Sequence, residues 1–340
     1  MVKKMATIKE LSAKCGVSIS TISKALNGYQ DISETTRQMI IETAEAIGYF
    51  PDAHARALKM KKTYSIGVLY QDSSNQGLRN EYFAHILAAF KEETSRRGYD
   101  ITFIEHNMGN RKMSYLEHCR NRNFDGVCIA CAEYKEPEVL ELVKGQFPVV
   151  TIDREFDGTI SVTSDNINGM NHLVQYIVDA GHRKIAYIYG NDTVVTRNRI
   201  RSYQNTLSHN GITVPEGYLA ESYYRDIERT RLEAAGILNL PDQPTCIIAP
   251  DDYAAIGVIK AIEEAGLKVV EDISIAGYDG ISSVKVMEAE LTTVRQDVNG
   301  IGLKAASLLI DLIENTEQTP LENIYMPCVL IEGNTIKHLK

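Results

Sequence analysis

Six places in the chain gather side chains that could do chemistry: QDSSN at 71–75, Asp153-Arg154, Asp165-Asn166, Gly190-Asn191-Asp192, Pro250-Asp251-Asp252 and Gly277-Tyr278-Asp279. Each stands at the end of an apolar run. Carboxylates accept hydrogen bonds from vicinal hydroxyls, arginine donates to ring and hydroxyl oxygens, and aromatic rings stack on C–H faces, so such a set suits a polyhydroxylated ligand. Paired carboxylates also serve glycosidases as acid and base, but nothing here fixes their spacing. No GxSxG, P-loop, HExxH or post-strand GxGxxG occurs, so no catalytic residue is assigned and an enzyme is not expected. The six cysteines are scattered, and the CxxC of Cys128 and Cys131 lies inside the apolar run GVCIACA. Without a second Cys/His pair at ligand spacing, neither a metal nor a cofactor is expected. A lone aspartate is often only a helix cap. That reading fits Asp252, ahead of a helix over 253–265, and Asp165, ahead of one over 166–180. Asp153 and Asp279 remain as ligand contacts.

The elements that must carry these residues alternate from Tyr64 onward. Short apolar strands are expected at 65–70, 100–105, 125–131, 147–152, 184–189, 246–249 and 273–277. Helices are expected near 82–97, 111–121, 136–144, 166–180, 197–210, 228–238, 252–265 and 299–314. Near-continuous apolar strands alternating with helices mean parallel sheets covered on both faces. The stretch is too long for one sheet of modest size, so the expected fold is an α/β core of two doubly wound subdomains. The chain would pass between them near 162–166, again near Leu291–Val294 and a third time near Tyr325–Val329. In such sheets ligands bind beyond the carboxyl ends of the strands, where the six polar clusters stand.

The first 62 residues differ. The whole chain carries a net charge of −9, yet residues 1–62 hold ten Lys/Arg and six Asp/Glu, a net of +4 that leaves −13 for the rest. A basic head on an acidic body confines the phosphate-attracting surface to one end. Thr7 can cap a helix over 8–14, Gly16 can close it in the left-handed conformation, and Ser18 can cap a second helix over 19–26. Ile22 and Leu26 would face inward, leaving Ser20, Thr21, Ser23 and Lys24 outside. Short hydroxyls and a lysine can reach base edges and phosphates without holding a helix off the DNA groove. A third helix starts after Ser33, is buried through Ile40, Ala44 and Ile47, and closes at Gly48. Residues 52–58 are helix-forming but too short to be stable alone.

Here the residues resemble a known family. The strings VSISTISKALN at 17–27, SETTR at 33–37, GYFP at 48–51 and ARAL at 55–58 are similar to the head of LacI/GalR transcriptional repressors. In the body, SDN at 164–166, GHRKI at 181–185, PDD at 250–252, DISIAGYD at 272–279 and LTTVRQ at 291–296 continue the resemblance almost to the C-terminus. It implies a helix-turn-helix head and a core like the type I periplasmic binding proteins, with an effector between its subdomains. In such heads the second helix enters the major groove and paired hinge helices enter the minor groove. Carried over by position, Ile19, Ser20 and Lys24 would read bases. Thr7, Ser18, Thr21, Ser23 and Asn27 would line the same face. Leu58 would wedge between base steps beside Ala55, with Arg56 on the backbone or minor groove. Effector contacts would be Arg199, Asp251 and Asp279, with Asp72, Asp153 and Asp165 nearby and Phe83 and Tyr224 as stacking rings. His182 would be structural. Lys24 stands where many members have arginine, and Asp251 where many have asparagine. The loop at 73–80 also departs from the usual pattern, so no particular sugar carries over.

The expected organisation is a DNA-binding domain over 1–51, a hinge over 52–62 and an effector-binding core over 63–340. The core divides into an N-subdomain of about 63–162 and 294–325 and a C-subdomain of about 163–293 and 326–340. The expected function is a sequence-specific transcriptional regulator of the repressor type, responsive to a small molecule that is a sugar or sugar derivative. Its expected partners are a pseudo-palindromic double-stranded operator and a second copy of itself, since no heptad tail follows the core. A solute-binding protein would need an export signal and has no use for residues 1–62. Neither a secretory leader nor a membrane span is expected, which suggests a cytoplasmic protein.

Overall fold

The computed structural model describes residues 6–27, 29–50, 62–72, 76–145, 147–281 and 290–339. It divides into two compact units, Met1–Tyr64 and Ser65–Lys340.

In the first unit, α1 (Ile8–Cys15), α2 (Ile19–Leu26) and α3 (Glu34–Ile47) are each begun by a hydroxyl side chain that accepts from a backbone N–H of the first turn: Thr7 from Glu10, Ser18 from Thr21 and Ser33 from Thr36. Thr7 and Glu10 complete a reciprocal capping box. Gly16 (φ 66°) and Gly48 (φ 67°) end α1 and α3 in the left-handed conformation. Leu11, Ile22, Ala25, Ile40 and Ala44 form the buried centre, ringed by Ile8, Val17, Leu26 and Ile47. With so small a core, caps weigh heavily. Ser18→Ala is expected to cost the head about 1 kcal/mol. Amide exchange across Ile19–Leu26 would rise in the full chain, and an unchanged rate would show that the cap contributes nothing.

The second unit contains two parallel sheets. The first uses β1 (Ser65–Tyr70), β2 (Asp100–Phe103), β5 (Gly126–Cys131), β6 (Val149–Ile152), β7 (Ile160–Ser164) and β13 (Asn323–Met326), ordered β13-β7-β6-β5-β1-β2. The second uses β8 (Ile185–Tyr189), β9 (Leu219–Glu221), β10 (Cys246–Ile248) and β11 (Ser274–Ala276), ordered β11-β10-β8-β9. Central strands such as β6 and β8 are buried almost throughout, as expected of sheets covered on both faces. The helices are α4 (Glu81–Arg96), α5 (Tyr115–Arg122), α6 (Pro137–Val143), α7 (Asn166–Asp179), α8 (Val194–His209), α9 (Ile227–Leu238), α10 (Ala255–Glu264) and α11 (Val298–Glu314).

The chain passes from one sheet to the other where β7 gives way to α7. It returns through β12 (Thr293–Gln296) and crosses again through β14 (Cys328–Ile331), the two pairing antiparallel. Between these passages α11 packs on α4 and over the first sheet. A Cβ at Gly302 would lie 2.2 Å from the Ile86 carbonyl oxygen, so glycine is what allows the two helices to approach so closely.

Three local expectations are corrected. The helix expected over 111–121 begins only at Tyr115, because Asn107–Met108 (β3) and Arg111–Lys112 (β4) form a small hairpin and Ser114 supplies the cap. The helix expected from 197 starts three residues earlier, at Val194, capped by Thr193. The helix expected over 253–265 starts at Ala255, so Asp252 does not cap it. The short strands β9 and β13 were not expected. They lie at sheet edges, where exposure dilutes the apolar signal.

Candidate ligand cleft and nucleic-acid-reading face

The cleft is built around Arg199, on the inward face of α8. The side chain is 3% exposed. Its Nε donates to Asn166 Oδ1 (2.8 Å), and its guanidinium carbon lies 3.5 Å from the centre of the Tyr278 ring and 5.9 Å from that of Tyr224. Its Nη1 is buried without a hydrogen-bond partner. Tyr224 donates or accepts at the Thr196 hydroxyl (2.8 Å) and lies flat over Gly190, where a Cβ would come within 2.5 Å of the ring. The longer α8 therefore places Thr196 and Arg199 on one face, a turn apart, against one ring.

Three carboxylates surround the guanidinium. Asp279 is half-buried, accepts from Gln296 Nε2 (2.6 Å), and has its carboxyl pushed up to about 7 by desolvation, an effect Asp251 adds to and Arg199 opposes. Asp153, at the end of β6, accepts from the Tyr82 hydroxyl (2.9 Å) and the Thr163 hydroxyl (2.9 Å). Burial raises its carboxyl, while these two bonds and Arg199 pull it back. Asp251 accepts from the backbone N–H of Ala254 (2.8 Å) and of Arg225 (2.6 Å), and burial raises it too. Asp153 (φ 58°), Arg225 (φ 62°) and Asp279 (φ 106°) all hold left-handed backbone. Non-glycine residues are uncommon in that region, and three of the six among the described residues stand at this cleft.

The remaining expected residues lie around this centre. Phe83 sits edge-on between Tyr70 (5.5 Å) and Tyr82 (5.0 Å), and Tyr82 is the more deeply buried of the helix pair. Asp72 follows β1, close enough to Tyr70 and Cys131 to raise both electrostatically. Asp165 caps α7 through Asn168 N (3.0 Å) and borders, with Asp153, Asn198 and Tyr325, a cavity of about 30 Å³. Asp252 is structural. It accepts from Thr293 Oγ1 (2.5 Å) and Ile281 N (2.9 Å), joining β12 to the loop after β11. His182 is structural as well, held between the Thr245 hydroxyl (2.8 Å) and the Lys337 carbonyl (3.0 Å).

Sequence reasoning missed Tyr82, Arg225 and Gln296 as parts of this cleft, and named Tyr278 only within the cluster Gly277-Tyr278-Asp279. Tyr278 and Gln296 lie within the quoted strings DISIAGYD and LTTVRQ, so their neighbourhood was marked. Arg225 directly follows the expected ring Tyr224. Nothing in its own spacing points inward, because its direction is set by the left-handed turn. Among the described residues, Arg225 Nε donates across the cleft to Gln76 Oε1 (2.8 Å), and Lys135 pairs with Asp192 (3.6 Å).

On the head, Ser18, Ile19, Ser20 and Asn27 are exposed, and Thr21, Ser23 and Lys24 half-exposed, over the buried Ile22 and Ala25. Thr7 and Ser18 spend their hydroxyls on caps. Asn27 donates to the Ser23 carbonyl (2.6 Å), and Lys24 pairs with Asp31. An exposed pair of this kind is screened by solvent and contributes little, so a phosphate can replace the aspartate. Ala55, Arg56 and Leu58 lie outside the described residues, as does nearly all of the expected hinge.

Residues 7–52 match the family model for bacterial regulatory proteins of the lacI family, and residues 174–336 the model for a periplasmic binding protein-like domain. The HTH-type transcriptional repressor PurR of Escherichia coli O139:H28 is 30% identical over 349 residues, covering 98% of this chain and 97% of that protein. Among solved structures, the lac repressor dimer bound to operator and the anti-inducer ONPF superposes with a TM-score of 0.79 at 24% identity, covering 98% of this chain and 100% of that one. The complex of the transcriptional regulator CelR with cellobiose has a TM-score of 0.69 at 23% identity, covering 97% and 99%.

Proposed function

The chain belongs to the LacI family of bacterial regulatory proteins, and from that premise we propose that an uncharged carbohydrate, held in the cleft around Arg199, sets its affinity for operator DNA. It is a DNA-binding transcriptional regulator of the repressor type. In this reading two copies pair on a roughly palindromic operator. Ile19, Ser20 and Lys24 read base edges, and Thr7, Ser18, Thr21, Ser23 and Asn27 fix the register on phosphates. Ala55, Arg56 and Leu58 are proposed to act in the minor groove. The effector meets Arg199, Asp153, Asp251 and Asp279, with Tyr224 and Phe83 as ring walls and Asp72 and Asp165 at the margins.

The observation that carries this reading is the buried Arg199 Nη1, which has no partner although carboxylates and rings crowd around it. A buried donor left unpaired costs about 1–3 kcal/mol, and a ligand oxygen would relieve that cost. Gln296 Oε1, also buried and unpaired, offers an acceptor to a hydroxyl nearby. Charge decides the ligand class. Asp153, Asp251 and Asp279 against Arg199 and Arg225 leave a formal −1 in the cleft, or zero with Asp279 protonated. A sugar phosphate would add two more negative charges at low dielectric, so a neutral polyol is favoured. No catalytic step is assigned to these carboxylates. Among the described residues no helix is long and apolar enough to cross a membrane, and a cytoplasmic site of action fits the function.

A thermal-shift series of the full chain with neutral sugars, uronates and sugar phosphates tests the ligand class. Stabilisation by a neutral sugar is expected. Stabilisation by phosphates alone would overturn it. Operator binding is expected to fall on the order of 10³-fold between 50 and 200 mM salt, as lysine and arginine contacts release counterions. A flat salt dependence would count against the basic head as the reader.

A further inference from the structure

Arg225 enters the function just described only through its charge, yet its surroundings are unusually specific. It follows Tyr224 in the segment between β9 and α9. Its backbone is left-handed (φ 62°), which is costly for an arginine. That turn is held by Asp251, whose Oδ2 accepts from the Arg225 N–H at 2.6 Å while its Oδ1 accepts from the Ala254 N–H at 2.8 Å. Both acceptors of Asp251 therefore serve backbone donors. An asparagine would place an NH₂ against one of them, so the carboxylate is what this turn requires. The aspartate at a position where asparagine is common thus has a local explanation, which is the placement of Arg225.

The side chain is fixed at two points. Its guanidinium carbon stands 4.7 Å from the centre of the Tyr253 ring. Its Nε donates to Gln76 Oε1 at 2.8 Å, on the opposite subdomain, and it lies close enough to Tyr70 to act on it electrostatically. Its Nη1 is buried and has no hydrogen-bond partner. A second contact across the cleft among the described residues, Lys135 with Asp192, joins side chains that are 75% and 59% exposed and contributes little.

We infer that Arg225 is a latch that also reads the ligand: one nitrogen ties the two walls through Gln76 while another offers an acceptor-seeking N–H to the neutral polyol. The inference rests on the cleft being the effector site, and it adds the means by which occupancy and closure are coupled. A hydroxyl or ring oxygen at Nη1 orients the guanidinium, and the oriented guanidinium meets Gln76. Opening the walls breaks the Gln76 bond and frees the plane to turn. Asp251 then acts as a positioning residue through Arg225 as well as facing the ligand.

The test has two independent arms, both on the full chain. Without any ligand, hydrogen exchange is followed at residues 70–72 and 222–226. Gln76→Ala and Arg225→Gln are each expected to raise exchange there about tenfold, corresponding to the loss of one charge-assisted hydrogen bond. Unchanged exchange in both variants would overturn the latch. In the second arm D-ribose, D-galactose and cellobiose are the probes. For whichever of them binds, Arg225→Gln is expected to weaken affinity about tenfold or more, because it removes both reading and closure. Gln76→Ala removes closure only and is expected to weaken it about threefold. Equal losses in the two variants would refute the reading role. Asp251→Asn should reproduce the Arg225→Gln pattern, and a variant that loses affinity while wall exchange stays normal would leave Asp251 with direct contact alone. If no probe binds the unaltered protein, the proposed ligand class fails while the exchange arm still decides the latch.

Discussion

Replacing Arg199 with alanine is expected to abolish the response to effector while operator binding persists. The guanidinium is the buried cation at the centre of the cleft, touching Asn166, Tyr278 and Tyr224 and lying within electrostatic reach of Asp279. Truncation removes the unpartnered N–H that the ligand would meet. It also strips Asp153 and Asp279 of the positive charge that lowers their carboxyls. Removing one side of a buried charge arrangement typically costs about 3–5 kcal/mol, so the core should melt earlier as well. Arg199→Lys separates the two effects. It keeps the charge but loses the planar stack on Tyr278, so stability should largely return and the response only weakly. The measurement is operator anisotropy with and without the sugar that stabilises the unaltered protein, beside melts of each variant. A full response in Arg199→Ala would remove the residue from the site.

The second large effect concerns Asp279. Its carboxyl is raised to about 7 in the folded chain, whereas in the unfolded chain it is ordinary, about 3.9. Between those values the folded state keeps a proton that the unfolded state has lost. This group's contribution to stability is therefore greatest at low pH and is lost as pH rises through the folded value. Each unit of difference corresponds to about 1.4 kcal/mol. Asp279→Asn keeps an oxygen for the Gln296 N–H and carries no charge at any pH. The variant should melt several degrees above the unaltered chain at pH 8, with the gap closing towards pH 5. At pH 8, where the aspartate is ionised, its affinity for the sugar should nevertheless fall about tenfold or more, through loss of a charged acceptor. Parallel melting curves across that range would show that Asp279 is not held protonated.

The head was almost fully legible in the sequence. Its caps Thr7, Ser18 and Ser33 and its closing glycines Gly16 and Gly48 act through bonds three to five residues long, so local spacing specifies them. The alternation of the body was legible for the same reason, since a buried strand is apolar throughout. Asp252 was read differently from what it does. Its partners Thr293 and Ile281 are 41 and 29 residues away, and no periodicity links them. Arg225 was missed because a left-handed turn, held from a distance by Asp251, determines its direction. Tyr82 was missed beside Phe83 because the two are adjacent on one helix, and only the partner Asp153, 71 residues on, shows that Tyr82 turns inward as well. The cleft is thus least readable where its order comes from long-range pairs.

The interlacing of the core sheets has a consequence for the order in which the molecule is made. The first sheet lacks its edge strand β13 and the cover of α11 until residue 326 has been synthesised, and the closing pair β12–β14 waits for residue 331. The head closes its hydrophobic cluster from residues no further along than Tyr49. Local contacts form quickly, and contacts between distant segments wait for the chain that supplies them. On the ribosome, therefore, the element that reads DNA is complete long before the element that restrains it. A chain cut short in its last fifth, before residue 331, would keep an address without a switch.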